Sequence, residues 1–172
     1  MAKVYIKKID DIENVNIDLT TINKEKVNRL NKLKGHSKTM SYLAWLFLKE
    51  KVLEEYSLDI DKLNLSYNEY GKPLFNEFCF NISHSKNIIA IALSNKEVGI
   101  DIQIINQDTK LLAKKMNIEN NSIEVIKRFS AIEAYYKKIG TGINYSLLKE
   151  KKECKQEILT IDGLDYVLSL AE

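Results

Sequence analysis

The stretch Phe80–Gln103, FNISHSKNIIAIALSNKEVGIDIQ, constrains this chain more than any other. Apolar runs at Phe78–Ile82, Asn87–Ser94 and Val98–Ile105 are joined by short polar connections, the pattern of consecutive strands. Ser83-His84-Ser85 reads as a polar turn after the first run. The third run carries a lone carboxylate, Asp101, among Val98, Gly99, Ile100 and Ile102. A free carboxylate on a buried strand is costly unless it is paired or bound to metal. The alternative is an acid on the exposed face of an edge strand.

The flanking segments add helices to this sheet. Val4–Ile9 reads as a strand, and Lys24–Leu33 as a polar helix ended by Gly35. Ser37–Tyr56 reads as a longer helix, its buried stripe formed by Met40, Leu43, Leu46, Phe47 and Val52 or Leu53, with Trp45 at the edge. Leu63–Tyr67 is strand-like, and Asn68–Pro73, NEYGKP, is a turn in which Gly71 tolerates positive φ. Asp108–Met116 reads as a short helix. A second begins around Asn120-Asn121-Ser122 and runs to Ile139, where Gly140 stops it. Cys154–Ile161 and Tyr166–Leu170 form a closing hairpin through Asp162-Gly163. The order of elements defines an α+β fold.

A chain of 172 residues allows one domain or two small fused lobes. Its net charge of +2 gives no ground for nucleic-acid or membrane binding. Lys24, Lys26, Arg29, Lys32, Lys34 and Lys38 make one segment locally basic. That segment is either a solvated helix face or a patch for an anionic ligand or acidic partner. Cys79 and Cys154 are isolated, and no signal-peptide or membrane-spanning pattern is present, so a soluble cytoplasmic protein is expected.

On the helix ending at Ile139, Val125, Phe129, Ile132, Tyr136 and Ile139 form one apolar stripe. Glu133 and Lys137 lie one turn apart at its edge, where side chains leave the core for a cleft. An i,i+4 Glu–Lys pair is common and by itself signals little. His84, in its polar turn, is by itself more often a surface or hydrogen-bonding residue than a catalyst.

The order of the motifs carries more weight. GKP, then FNISHS, then VGID, then S-x-x-E-A-x-x-K-x-x-G resembles the Sfp-type 4′-phosphopantetheinyl transferases. The resemblance covers Tyr67–Ile143 well and the remainder loosely. It implies two pseudo-symmetric α/β lobes, here 1–102 and 103–172, with coenzyme A and Mg²⁺ between them. It further implies transfer of phosphopantetheine to a serine of an apo acyl or peptidyl carrier protein, with release of adenosine 3′,5′-bisphosphate, by a monomer. Carried over by position, Asp101, Glu133 and Gln103 are the metal ligands, and Glu133 is also the base for the serine hydroxyl. Lys137 contacts the pyrophosphate and protonates the leaving group. Ser83 and His84 lie at the nucleotide end, Lys72 and Pro73 line the adenine site, and Lys38 falls near the 3′-phosphate.

Three departures from the family pattern bear on activity. Gln103 stands where the family usually has a second acid, which implies weaker metal binding. Ile132 stands where it usually has a lysine, and fits the apolar stripe instead. The segment between Asp101 and Glu133 is short for this family. The alternative to an active transferase is therefore a catalytically degenerate module that binds coenzyme A or a carrier protein.

Overall fold

The computed structural model describes residues 1–105 and 108–172. The strands are β1 (Lys3–Lys8), β2 (Ser66–Tyr67), β3 (Pro73–Leu74), β4 (Cys79–Ser85), β5 (Ile88–Ser94), β6 (Gly99–Ile104), β7 (Lys155–Ile161) and β8 (Leu164–Ala171). The helices are α1 (Lys24–Leu30), α2 (Gly35–Tyr56), α3 (Lys110–Met116) and α4 (Ser122–Ile139), with a 3-10 turn at Tyr145–Lys149. The expected α+β class holds. No helix among the described residues is long and apolar enough to cross a membrane.

One antiparallel sheet has the order β1-β5-β4 and another the order β6-β8-β7. Alternation along β5 decides the layers. Ile89, Ile91 and Leu93 join Leu48, Phe47 and Val52 of α2 in one core. Ile88, Ala90 and Ala92 join Ile100, Ile102, Ile104, Tyr166 and Leu168 of the other sheet in a second. The small Ala90 and Ala92 let the sheets approach. The outer face of the β6 sheet is covered by α4, where Ile126 meets Val167 and Ile105.

The two sheets are also stitched along one edge. Asn81 Oδ1 accepts from Ile100 N at 2.9 Å, Ser83 Oγ from Ile102 N at 3.2 Å, and Ser85 Oγ from Ile104 N at 3.1 Å. Every second residue of β4 thus serves every second amide of β6, and the two strands run in the same direction. This explains why Ser83-His84-Ser85 is strand and not turn: its hydroxyls have partners on β6, so nothing favours a bend there. The reversal comes at Lys86, whose φ is 52°. The ladder also gives partners to amides that would otherwise line an open edge of β6.

Other expectations shift for identifiable reasons. Gly35 does not end α1, which stops at Leu30 and is capped by Asn31; it opens α2, its φ of 50° turning the chain between the helices. Trp45 is not at the core edge but only 1% exposed, donating Nε1–H to Asp61 Oδ1 at 3.1 Å. The single-stripe reading failed because α2 is enclosed on several sides: Ile12, Val15, Ile17, Leu58 and Leu63 pack against the same core as the sheet. Leu53 is exposed and Val52 buried. The strand expected over Leu63–Tyr67 shrinks to Ser66–Tyr67, and α3 begins at Lys110 because Asp108 caps that residue's amide at 3.0 Å. In α4 the Asn121 side chain accepts from Ile123 N and Glu124 N, and Gly140 closes the helix at φ 75°. Ile139 is exposed. The β7–β8 hairpin turns through Asp162 and Gly163, both with positive φ, as the Asp-Gly pair requires.

Candidate active site

Gly99 sets the geometry. A Cβ built there would lie 1.9 Å from Ala134 O and 2.5 Å from Lys138 N, so only glycine permits α4 to lie this close to β6. Small residues continue the contact on both sides: Ser169 and Ala171 share the face of Gly99 through β8, and Ser130, Ala131 and Ala134 are buried on α4. The expected stripe of Val125, Ile132 and Tyr136 packs elsewhere, against α3 and Leu148 of the 3-10 turn. α4 is therefore buried along two faces, and Glu133 and Lys137 belong to the margin of the face against the sheet.

Asp101 lies two residues beyond Gly99, on the same side of β6, and is 1% exposed. Its Oδ1 sits 2.6 Å from Lys137 Nζ and accepts from Ser83 Oγ at 2.9 Å. Lys137 Nζ also donates to Ser83 Oγ at 3.0 Å, and Ser130 Oγ donates to the Asp101 carbonyl at 3.4 Å. The exposed-edge alternative for Asp101 is thereby excluded. One carboxylate oxygen is left over: Asp101 Oδ2 is buried and has no hydrogen-bond partner. Buried polar atoms without partners are rare, and this one lies within a cluster of ionisable groups.

Glu133 is half-buried beside this pair. Burial raises its carboxyl above the ordinary glutamate range; the Lys137 charge opposes that shift and the Asp101 charge adds to it. A carboxylate tuned upward is suited to accepting a proton near neutral pH. His84, the neighbour of Ser83, is held below the ordinary histidine range by desolvation, then by the charges of Lys137 and His36. Gln103 lies two residues beyond Asp101 on the same side of β6 and is half-buried.

Lys72, Pro73 and Lys137 line one cleft of about 230 Å³, with Asn81 and Thr141. Lys72 Nζ reaches Lys138 O at 2.7 Å and pairs with Glu97. A larger cavity of about 620 Å³, lined by Glu124, Lys127, Arg128 and Lys152, touches none of the cluster and is mixed in charge. Lys38 stands apart, with its hydrogen bond to Asn31 Oδ1 at 3.5 Å. Of the basic segment it is Lys26 that turns inward, to Ser41 Oγ at 3.0 Å and over the Trp45 ring at 5.2 Å. Burial, then the charge of Arg29, pushes it down to about 8.

The structure brings the expected Asp101 and Lys137 into contact, whereas sequence reasoning gave Gly99, Asn81 and Ser130 no role. Two signals were available for these: an isolated glycine within a strand, and small residues interleaved with Glu133 and Lys137 along a helix. Among the described residues no three His, Cys, Asp or Glu side chains gather as a metal-binding group. The donors at hand are the oxygens of Asp101, Glu133 and Gln103, which are hard ligands of the kind Mg²⁺ prefers. The open Oδ2 of Asp101 fits such a cation.

The buried Asp101 carboxylate, the part-buried Lys137 ammonium, the Glu133 carboxyl and the lysine-lined cleft thus meet at one helix–sheet junction. No family model matches the chain. It is 29% identical over 116 residues to the 4′-phosphopantetheinyl transferase gsp of Aneurinibacillus migulanus, covering 60% of this chain and 49% of that protein. It is 33% identical over 73 residues to the 4′-phosphopantetheinyl transferase of Bacillus subtilis, covering 41% and 33% respectively. Over these stretches the chain is similar to 4′-phosphopantetheinyl transferases. It spans about half the length or less of these curated relatives.

Proposed function

We propose that this chain transfers the 4′-phosphopantetheine arm of coenzyme A to a serine of an apo acyl or peptidyl carrier protein, releasing adenosine 3′,5′-bisphosphate. The observation that carries this reading is the Asp101–Ser83–Lys137 cluster with Glu133 beside it. Glu133, with its raised proton affinity, takes the proton of the incoming serine hydroxyl. Lys137 gives positive charge to the pyrophosphate oxygens and a proton to the leaving group. Lys72 and Pro73 flank the nucleotide at the far end of the cleft, with His84 and Lys38 toward its phosphates. Asp101, Glu133 and Gln103 would hold Mg²⁺, which when bound neutralises charge on the pyrophosphate.

Two further features are part of this reading. The two pseudo-equivalent lobes of a monomeric cytoplasmic enzyme would be 1–102 and 103–172, a boundary that falls within β6. Basic residues before position 40 steer an acidic carrier protein. Intact-mass spectrometry of an apo acyl carrier protein incubated with the protein, coenzyme A and Mg²⁺, beside an EDTA control, tests the reaction. A metal-dependent gain of one phosphopantetheine is expected.

One observation favours a second reading, a module that binds coenzyme A or a carrier protein without transfer. Lys137 already neutralises Asp101, and Gln103 adds no charge, so the acid available to a cation is small. Tight coenzyme A binding with unchanged carrier mass across several carrier proteins would decide for that module.

A further inference from the structure

The last four carbonyls of an α-helix have no partner within it. At the end of α4 the chain's own cap is modest: Gly140 N and Thr141 N both donate to Tyr136 O, at 2.9 and 3.1 Å. Two further carbonyls at this end are met from across the cleft by the turn over residues 68–73. Lys72 Nζ donates to Lys138 O at 2.7 Å, and Asn68 Nδ2 donates to Gly140 O at 2.7 Å. Asn68 also organises that turn. Its Oδ1 accepts from Tyr70 N at 3.0 Å and Lys72 N at 2.8 Å, while its backbone pairs with Lys72 O and Gly71 N. One half-buried amide thus ties Lys72, on one wall of the cleft, to the helix turn that carries Lys137 on the other.

The fit is tight. Gly140 has φ 75°, and a Cβ there would lie 2.7 Å from Asn68 Nδ2 and 3.1 Å from Lys72 Cδ. Thr141, next in the chain, lines the same cleft, and its Oγ1 is buried without a partner. The two described buried side-chain atoms that lack partners, Asp101 Oδ2 and Thr141 Oγ1, therefore flank Lys137: one beside its ammonium, the other just past its helix.

We infer that Asn68 is a positioning residue for Lys137: by clamping the end of α4 to the 68–73 turn it fixes where the Lys137 ammonium stands. This inference rests on the transfer reading for its catalytic consequence, though not for the clamp itself. Asn68→Asp separates the two jobs of the side chain. It keeps the acceptors for Tyr70 N and Lys72 N, so the turn survives, but it sets a carboxylate against the Gly140 carbonyl.

The first arm needs no activity. By hydrogen exchange on the ligand-free chain, the Gly140 and Thr141 amides should exchange about tenfold faster in Asn68→Asp, with β4, β5 and β6 unchanged. Unchanged exchange at those two amides would overturn the clamp. The second arm measures transfer to an apo acyl carrier protein. kcat should fall about tenfold while KM for coenzyme A moves less than twofold, the pattern of a misplaced group. In a Lys137→Ala background the same change should cost nothing further. A fall that is fully additive with Lys137→Ala, or one confined to KM, would overturn the role assigned to Asn68. Should the wild-type chain transfer nothing, the functional reading fails, and the exchange arm still decides the clamp.

Discussion

Two helices cover two sheets in this molecule, and they do so in opposite ways. α2 meets β4 and β5 through large apolar groups: Phe47, Leu48 and Val52 against Ile89, Ile91 and Leu93, with the tilted rings of Phe75, Phe78 and Phe80 nearby, their centroids 5.2 to 5.9 Å apart. α4 meets β6 through almost nothing, a glycine against helix backbone with serines and alanines around it. The first interface is thick and insulating. The second is thin, so polar groups on both sides come within hydrogen-bond reach, and Asp101, Ser83 and Lys137 converge there. Their half-buried lysines differ in the same sense. Lys137 has an acid at 2.6 Å, whereas Lys26, below α2, rests on a hydroxyl and an indole ring. Large side chains fill the first interface; small ones let polar groups meet across the second.

The sharpest way to break this contrast is to remove the tuned acid from the thin interface. Glu133→Gln keeps the shape and removes the proposed base, so on that reading transfer should fall about 10³-fold, in the range for loss of general-base catalysis. The melting temperature should stay within about 2 °C, since among the described residues no hydrogen bond or ion pair involves this carboxylate. Comparable turnover by wild type and variant in the carrier-protein mass assay would remove Glu133 from the mechanism.

Thickening the thin interface comes next. Gly99→Ala places a methyl group 1.9 Å from Ala134 O, against backbone that cannot rotate away. α4 must shift, and the loss should be about 3 kcal/mol by denaturant unfolding, at the upper end of the range for overpacking. Activity per folded molecule should drop too, because the shift carries Lys137 away from Asp101. A variant with wild-type stability would show that the close approach is not required.

The matched change at the thick interface is Ile91→Val, which removes one methylene from a fully buried side chain. About 1 kcal/mol of stability should go, with kcat and KM for coenzyme A unchanged in the folded fraction. A change in kcat would mean that the two interfaces are coupled and not separate in function.

The two interfaces were also unequally legible in sequence. The strands of the first sheet, α4 and the β7–β8 hairpin follow from apolar runs and from Asn121, Gly140 and Asp162-Gly163, whose conformational preferences are local. Glu133 and Lys137 were legible as a pair, and Asp101 as an acid that burial would not leave idle. What was not legible depends on tertiary packing. Ser83 and Ser85 read as turn residues because their partners, the amides of Ile102 and Ile104, are nineteen positions away in the chain. Trp45 read as peripheral because periodicity sees one face of a helix and not the segment 9–22 wrapped round the other. Gly99 carried a signal, but only the position of Ala134 gives it meaning.

The smallest expected effect concerns Lys26, and its sign follows from linkage. Burial lowers its pKa to about 8, whereas the unfolded chain holds the proton to about 10.4. Between these values the unfolded state binds more protons, so the contribution of Lys26 to stability rises with pH across that window. Below pH 8 both states are charged, and the folded state carries the full cost of burying an ammonium without an acid beside it. Lys26→Met removes that cost while keeping most of the stem that packs on Trp45. At pH 7 the variant should be more stable than wild type by on the order of 1 kcal/mol in urea unfolding. At pH 10 the gap should have largely closed. The same comparison at Lys137 must come out with the opposite sign, because Lys137→Met strands the Asp101 carboxylate in the interior and should destabilise the fold at pH 7. Equal signs at the two lysines would show that the thin and thick interfaces handle buried charge alike.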